Sequence, residues 1–323
     1  MKIQISQPKI SNLYSFISQL SQWNGLVCVP KRKATWLKQT GILTSKDKLA
    51  LKQFTRIFRQ ARINLEPIFL FEDQKMIWAN IRKIIGKVKT EEIKLVFDEF
   101  ENRFDIIWPE ENKKLKIISK VYQSQKHTIN KNLKVIASLC GLTQNEWPKA
   151  IKLRLILSGQ GINDCQGWTH QNNIALECSG WPIKKIKYLI HAIFLHECFH
   201  VLFNNNKKLF LTTQKIIRKN RTLINKVGLK AWPTEIVFIE ALISSFLPEG
   251  YLSNKFLKIN ILDIARKAMG KAHLDNFSRF RYFCALNLYP LAKEYITCNK
   301  QIDAFYLEQI LICIQKFIKK GQE

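Results

Sequence analysis

Negative charge is what this 323-residue sequence has least of. It carries 25 Asp+Glu against 52 Lys+Arg, a formal net charge of +27. It also lacks any charge-free apolar stretch of about 18 residues, which argues against a multi-span membrane protein. The start, MKIQISQPKISNLYSF, has no uninterrupted apolar run of the signal-peptide kind, so cytoplasmic residence is expected. None of the eight cysteines forms a C-x-x-C pair, and their spacing is not that of a small secreted scaffold; reduced, mostly buried thiols are expected. With 46% hydrophobic and 11% aromatic residues, the chain is too apolar for a disordered basic tail.

The basic excess invites a nucleic-acid reading, because Lys and Arg neutralise phosphates. Two features argue against specific recognition. The excess is spread evenly over both halves of the chain, and Lys outnumbers Arg 40 to 12. Bidentate phosphate and base-edge contacts favour Arg.

Length allows two domains. Apolar residues at spacings of three and four predict helices through most of residues 1–148, as at Leu13, Phe16, Ile17 and Leu20 and again at Leu49, Leu51, Phe54, Ile57 and Phe58. Further helices are predicted over 74–87, 91–104 and 112–140, with Pro30, Pro67 and Pro109 as punctuation. This half holds no titratable cluster that resembles a site. After Trp147-Pro148 the pattern changes: 151–157 alternates like a strand, 158–167 is a Gly/Asn/Asp-rich loop, and 173–178 reads as a second strand. Gly180-Trp181-Pro182 then precedes an apolar helix over 184–203. The expected fold is α+β and predominantly helical, with a helical region at 1–148 and a second domain at 149–323.

That apolar helix contains His196-Glu197-Cys198-Phe199-His200, an H-E-x-x-H. Positions i and i+4 lie about 40° apart on a helix, so both imidazoles can hold one Zn²⁺. Glu197 is offset by one residue, beside the metal, where it can take a proton from an activated water. Two histidines and a glutamate on an otherwise apolar helix would cost several kcal/mol without partners, and a metal supplies them. His191, about 140° round from His196, is expected to be packed or exposed and not a ligand.

A catalytic zinc needs a third protein ligand. No acidic residue occurs between Glu197 and Glu235, and no third histidine follows His200 in the next few residues. Pro233 suits a helix start, which puts Glu235 in the first turn, where the helix dipole alone accounts for a carboxylate. Glu240 sits mid-helix among apolar residues and needs a cation or partner, so it leads as third ligand, with Glu235 second.

At these residues the chain resembles the gluzincin group of zinc metallopeptidases, and is similar to uncharacterised predicted bacterial zinc proteases in which a helical N-terminal half precedes such a core. The gluzincin pattern places H-E-x-x-H on one helix and a glutamate ligand on a later one, here Ile239-Glu240-Ala241. The resemblance covers about residues 150–250. It implies a zincin-like core with a small mixed sheet and C-terminal helices, and an edge strand, here Ile174 to Cys178, that holds the substrate backbone by β-addition. Ser244 stands where many gluzincins have an acidic residue orienting the first histidine. The family also supplies a Tyr or His for the tetrahedral oxyanion; Tyr251, His273, Tyr282 and Tyr289 are candidates, and their spacing does not choose among them.

The expected function is zinc-dependent hydrolysis of peptide bonds, with Zn²⁺ held by His196, His200 and Glu240 and with Glu197 as general base. The expected partner is a peptide or protein substrate, without a membrane span: 188–203 is apolar but short and contains His191, Glu197 and the ligands. The alternative is a catalytically weak regulatory or binding protein on a metallopeptidase fold, contacting nucleic acid or acidic partners through its basic surface.

Overall fold

Ile3 and Ile5, alternating with polar residues, form a short strand that the sequence pattern had not distinguished from the helical run after it. This is β1 (Lys2–Ser6). The computed structural model describes the chain except residues 24–29, 62, 72, 158–166, 230–231, 272–273 and 321–323. After β1 come α1 (Lys9–Ser21), α2 (Pro30–Thr40), α3 (Ser45–Gln60), α4 (Glu66–Phe71) and α5 (Gln74–Leu139). Then follow β2 (Ala150–Ile156), β3 (Gly167–His170) and β4 (Asn173–Glu177), and α6 (Ile186–Leu189) and α7 (Leu195–Asn205). The chain continues through α8 (Lys207–Lys219), α9 (Arg221–Asn225), α10 (Thr234–Ser244), α11 (Tyr251–Leu257), α12 (Ile261–Met269), α13 (Asn276–Thr297) and α14 (Ala304–Lys320). Helix makes up 74% of the described residues and their strands form one small mixed sheet, so the fold is α+β and predominantly helical.

Two compact units divide the chain, and they interleave instead of meeting at a single cut near residue 148. The sheet unit takes residues 2–124 and 150–187; the helical unit takes 125–149 and 188–323. Strand pairing accounts for the first: β1 pairs in parallel with β2, Ile3 opposite Ile151 and Ile5 opposite Leu153, so the N-terminus belongs with residues about 150 positions later. β2 pairs in parallel with β4, and β3 returns antiparallel to β4 through a two-residue turn in which Gln171 takes φ 52°. The order is β1-β2-β4-β3. β4, the expected edge strand, is therefore paired on both sides and has no free ladder to offer a peptide; the edges are β1 and β3.

Packing in the sheet unit explains its helices. The buried faces of α1, α3, α4 and the first part of α5 share one cluster with Ile156, Leu157 and Ala175 at the ends of the central strands. Tyr14 stacks on Phe69 at 4.8 Å and 3° within it. Asn12, fully buried on α1, donates to the Leu155 carbonyl at 3.3 Å and accepts from the Leu157 N–H at 2.7 Å, fixing that helix to the end of β2. The capping box at Thr44 and Asp47 starts α3, and Arg103 of α5 clamps the same carboxylate at 2.6 Å while donating to the Thr40, Gly41 and Ile42 carbonyls. Within α5, Gly86 at φ 83° separates two helical stretches, close to the expected break after residue 87. Pro109 does not end the helix but lies inside it. It forgoes one backbone bond without stopping the run.

In the helical unit the run before the H-E-x-x-H is less regular than one helix. A 3₁₀ turn (Ile183–Lys185) precedes α6, and a π-helical segment (Ile190–Phe194) precedes α7. The run Ile183–Asn205 is long and apolar enough to cross a membrane by length and composition, and it is mostly buried within the protein.

Candidate metal centre

α7 is buried at every position from Leu195 to Phe203, so its three polar side chains leave water together. His196, Glu197 and His200 are 5%, 7% and 9% exposed. The i,i+4 spacing brings His196 Nε2 and His200 Nε2 to 3.1 Å of each other. The facing helix, α10, is apolar on nearly all sides, and its half-buried mid-helix carboxylate, Glu240, closes the group. Glu240 Oε1 is 3.0 Å from His200 Nε2, and Oε2 is 3.5 Å from His196 Nε2. One donor atom from each of the three residues falls within 4.8 Å of the others, the arrangement that could hold a metal ion.

Hydrogen bonding decides which lone pairs are bare. His196 Nδ1 lies 3.0 Å from the Leu247 carbonyl, which can only accept, so Nδ1 carries the proton and Nε2 of the neutral ring presents a lone pair. At most one of the two Nε2 atoms can carry a hydrogen toward the other. Glu240 Oε2 is buried and accepts no hydrogen bond from the described residues. An orphaned carboxylate oxygen and two converging imidazole nitrogens fit a cation. In a tetrahedral site with metal–ligand bonds near 2.0–2.1 Å, donor atoms lie about 3.3 Å apart; the separations here, 3.0, 3.1 and 3.5 Å, bracket that value.

A second layer holds Glu240. Arg281 of α13 is half-buried and lies with Nε 3.6 Å from Glu240 Oε2. That Nε donates to Ser244 Oγ at 2.8 Å, and Nη2 pairs with Glu249 at 3.0 Å. Ser244 thus faces Arg281, and the Leu247 carbonyl orients His196. When ionised, Glu197, Glu240 and Glu249 against one guanidinium leave two negative charges in excess, which a divalent cation offsets.

Burial would raise the Glu240 carboxyl, but His196 and Arg281 beside it outweigh this and hold it well below the usual range. Burial likewise opposes charge on His196, and Glu240 overrides it, so that imidazole moves up. Glu197 moves the other way from Glu240. Burial pushes its carboxyl up, with His196 and His200 opposing, so it holds a proton more readily than a surface glutamate. The same electrostatic neighbours, together with Glu240 and Arg281, place Glu197 beside the group without making it a member.

Other sequence candidates fall elsewhere. Glu235 is half-exposed in the first turn of α10, 3.5 Å from Arg221, and is not part of the group. His191 is buried in the π-helical segment, 3.3 Å from Asn132. Tyr251 and Tyr289 pack edge to face at 5.5 Å, with the Tyr289 hydroxyl accepting from Asn254. Tyr282 follows Arg281 on α13 and feels Glu249 and Arg281; His273 lies outside the described residues. Cys140, Cys178, Cys198, Cys284 and Cys313 are buried, Cys298 is exposed, and Cys28 and Cys165 lie outside the described residues. Residue patterns gave no sign of Arg281 or Leu247: one is an arginine in a Lys/Arg-rich chain, the other acts through a backbone atom that any residue has. Comparison with protein-family models, curated proteins and solved structures finds no match to this chain.

Proposed function

We propose that the chain is a zinc-dependent peptidase of the gluzincin kind, with His196, His200 and Glu240 as ligands and Glu197 as general base. The observation that carries this reading is the convergence of the bare His196 Nε2 and of His200 Nε2 on the Glu240 carboxylate, with a buried glutamate one residue from the first histidine. When bound, zinc polarises a carbonyl and makes water acidic enough to lose its proton near neutrality. Everything else is the chain's own work. Glu197, with its carboxyl raised by burial, accepts the proton of the attacking water and returns it to the leaving nitrogen. The Leu247 carbonyl fixes the His196 tautomer, and Arg281 fixes the Glu240 carboxylate. The apolar walls of α7 and α10 keep bulk water from competing for these groups.

The test is a comparison of wild type with Glu197→Gln on a diverse peptide library, with zinc content measured in both. Cleavage by wild type alone, at equal zinc content, is the expected result. Full zinc in both proteins and cleavage by neither would leave a metal-binding protein without peptidase activity and overturn the proposal.

A further inference from the structure

Among the described residues β1 is an edge of the sheet, paired only with β2. Among the described residues, Lys2–Ser6 makes no backbone hydrogen bond outside that ladder. Backbone groups of alternate residues on its outer side are therefore open to a further strand. Beside the strand lies a groove of about 550 Å³, bounded by Ile5, Ser6 and Gln7 on one side and by Lys113, Lys116 and Lys120 of α5 on the other. Gln7 reaches across its end to the Leu115 carbonyl at 3.4 Å. All of these belong to the sheet unit.

The lysines give the groove its chemistry. At i, i+3 and i+7 they share one face of α5, and all three are exposed. Their neighbour Lys114 is paired with Glu110 and Glu111, whereas no ion pair engages Lys113, Lys116 or Lys120 among the described residues. Along the helix axis the three stand about 4.5 and 6 Å apart. Same-face side chains of an extended chain are about 6.6 Å apart. Acidic residues at every second position of a strand would thus meet successive lysines.

We propose that this groove docks an extended acidic segment of a partner protein, added as a strand to β1, with its Asp or Glu side chains against Lys113, Lys116 and Lys120. An open ladder complements a peptide backbone and not a phosphate backbone, which decides against nucleic acid. A second copy of this chain would bring the same lysines and a formal charge of +27 to the contact, so like-charge repulsion disfavours self-pairing. The proposal is independent of the metal centre.

Fluorescence anisotropy on the full chain tests it, using a labelled octapeptide of alternating Glu and Thr. A Lys/Thr peptide and a Glu/Thr peptide N-methylated at alternate amides serve as comparisons. The Glu/Thr peptide is expected to bind, and to lose at least about tenfold in affinity in the triple variant Lys113→Glu, Lys116→Glu, Lys120→Glu. A control triple reversal at the exposed Lys208, Lys215 and Lys219 of α8 is expected to have a smaller effect. All six sites are exposed, and circular dichroism checks the fold of each variant. N-methylation is expected to abolish binding. Equal affinity in the two triple variants, or undiminished binding of the N-methylated peptide, would overturn strand addition at this edge. Tighter binding of a single-stranded oligonucleotide, lost in the first triple variant, would assign the lysines to nucleic acid instead.

Discussion

Replacing Glu66 by Gln should stabilise the protein at alkaline pH and do little at acid pH. Glu66 opens α4 in the core of the sheet unit at 7% exposure, with the Tyr14 hydroxyl 3.3 Å from its carboxylate. It lines a very small cavity shared with Glu177. Burial raises its carboxyl from 4.5 to about 7, with the hydrogen bonds from Tyr14 and Asn64 only partly offsetting the effect. The raised group favours the folded state while protonated. Its contribution is complete below the unfolded value of 4.5 and is lost as pH rises through about 7. Between pH 5 and pH 8.5 the wild type should therefore lose about 2.5 kcal/mol from this one group. Glutamine keeps the shape and an acceptor for Tyr14 but does not titrate, so Glu66→Gln should gain about 2.5 kcal/mol over wild type on going from pH 5 to pH 8.5. Urea unfolding at the two pH values measures this, and six of the eight tryptophans lie in the sheet unit and report on it. An advantage of the Glu66→Gln variant that does not change between the two pH values, or a loss of stability at pH 8.5, would refute the reasoning.

Other expectations rest on the same kind of accounting. Asp47→Ala removes the carboxylate half of the α3 capping box and leaves Arg103, 15% exposed, without its carboxylate; a loss of about 3–5 kcal/mol by urea or thermal unfolding is expected. Thr44 and Arg103 hold the Asp47 carboxyl below its usual range despite burial, so this contribution is present at neutral pH and lost as pH falls through the lowered value. Asp47→Ala should accordingly flatten the acid limb of the stability–pH curve. Arg281→Gln removes the cation that holds Glu240 and should weaken zinc binding about 10- to 100-fold in competition with a chromophoric chelator. The cobalt-substituted spectrum of that variant should shift as well, because the Glu240 carboxylate loses its fixed orientation.

How much of this was legible in residues alone varied with the physics involved. His196, Glu197, His200 and Glu240 stood out because polar groups on apolar helices need a reason, and the structure brings the two histidines and Glu240 within contact of one another. β2 and β4 were marked by alternation and β-branched residues. β1 was not, since KIQIS offers only two apolar positions and its partner lies about 150 residues away. β3, with its sequence GWTH, is too short to show a period, and missing it misplaced the sheet edge onto β4. The domain limits followed from the same omission: a parallel strand at the N-terminus ties the first residues to those after 150, and helix periodicity carries no trace of that. Pro109 misled in the ordinary way, because a helix held by packing tolerates one missing N–H.

The most direct test of the metal centre is the zinc content of the purified full chain after dialysis against metal-free buffer, compared with that of Glu240→Gln and Glu235→Gln prepared in the same way. One equivalent in wild type and Glu235→Gln, with little or none in Glu240→Gln, is the expected result. Equal zinc in wild type and both variants, or none in a folded wild type supplied with the metal, would contradict the assignment of His196, His200 and Glu240 as a metal centre.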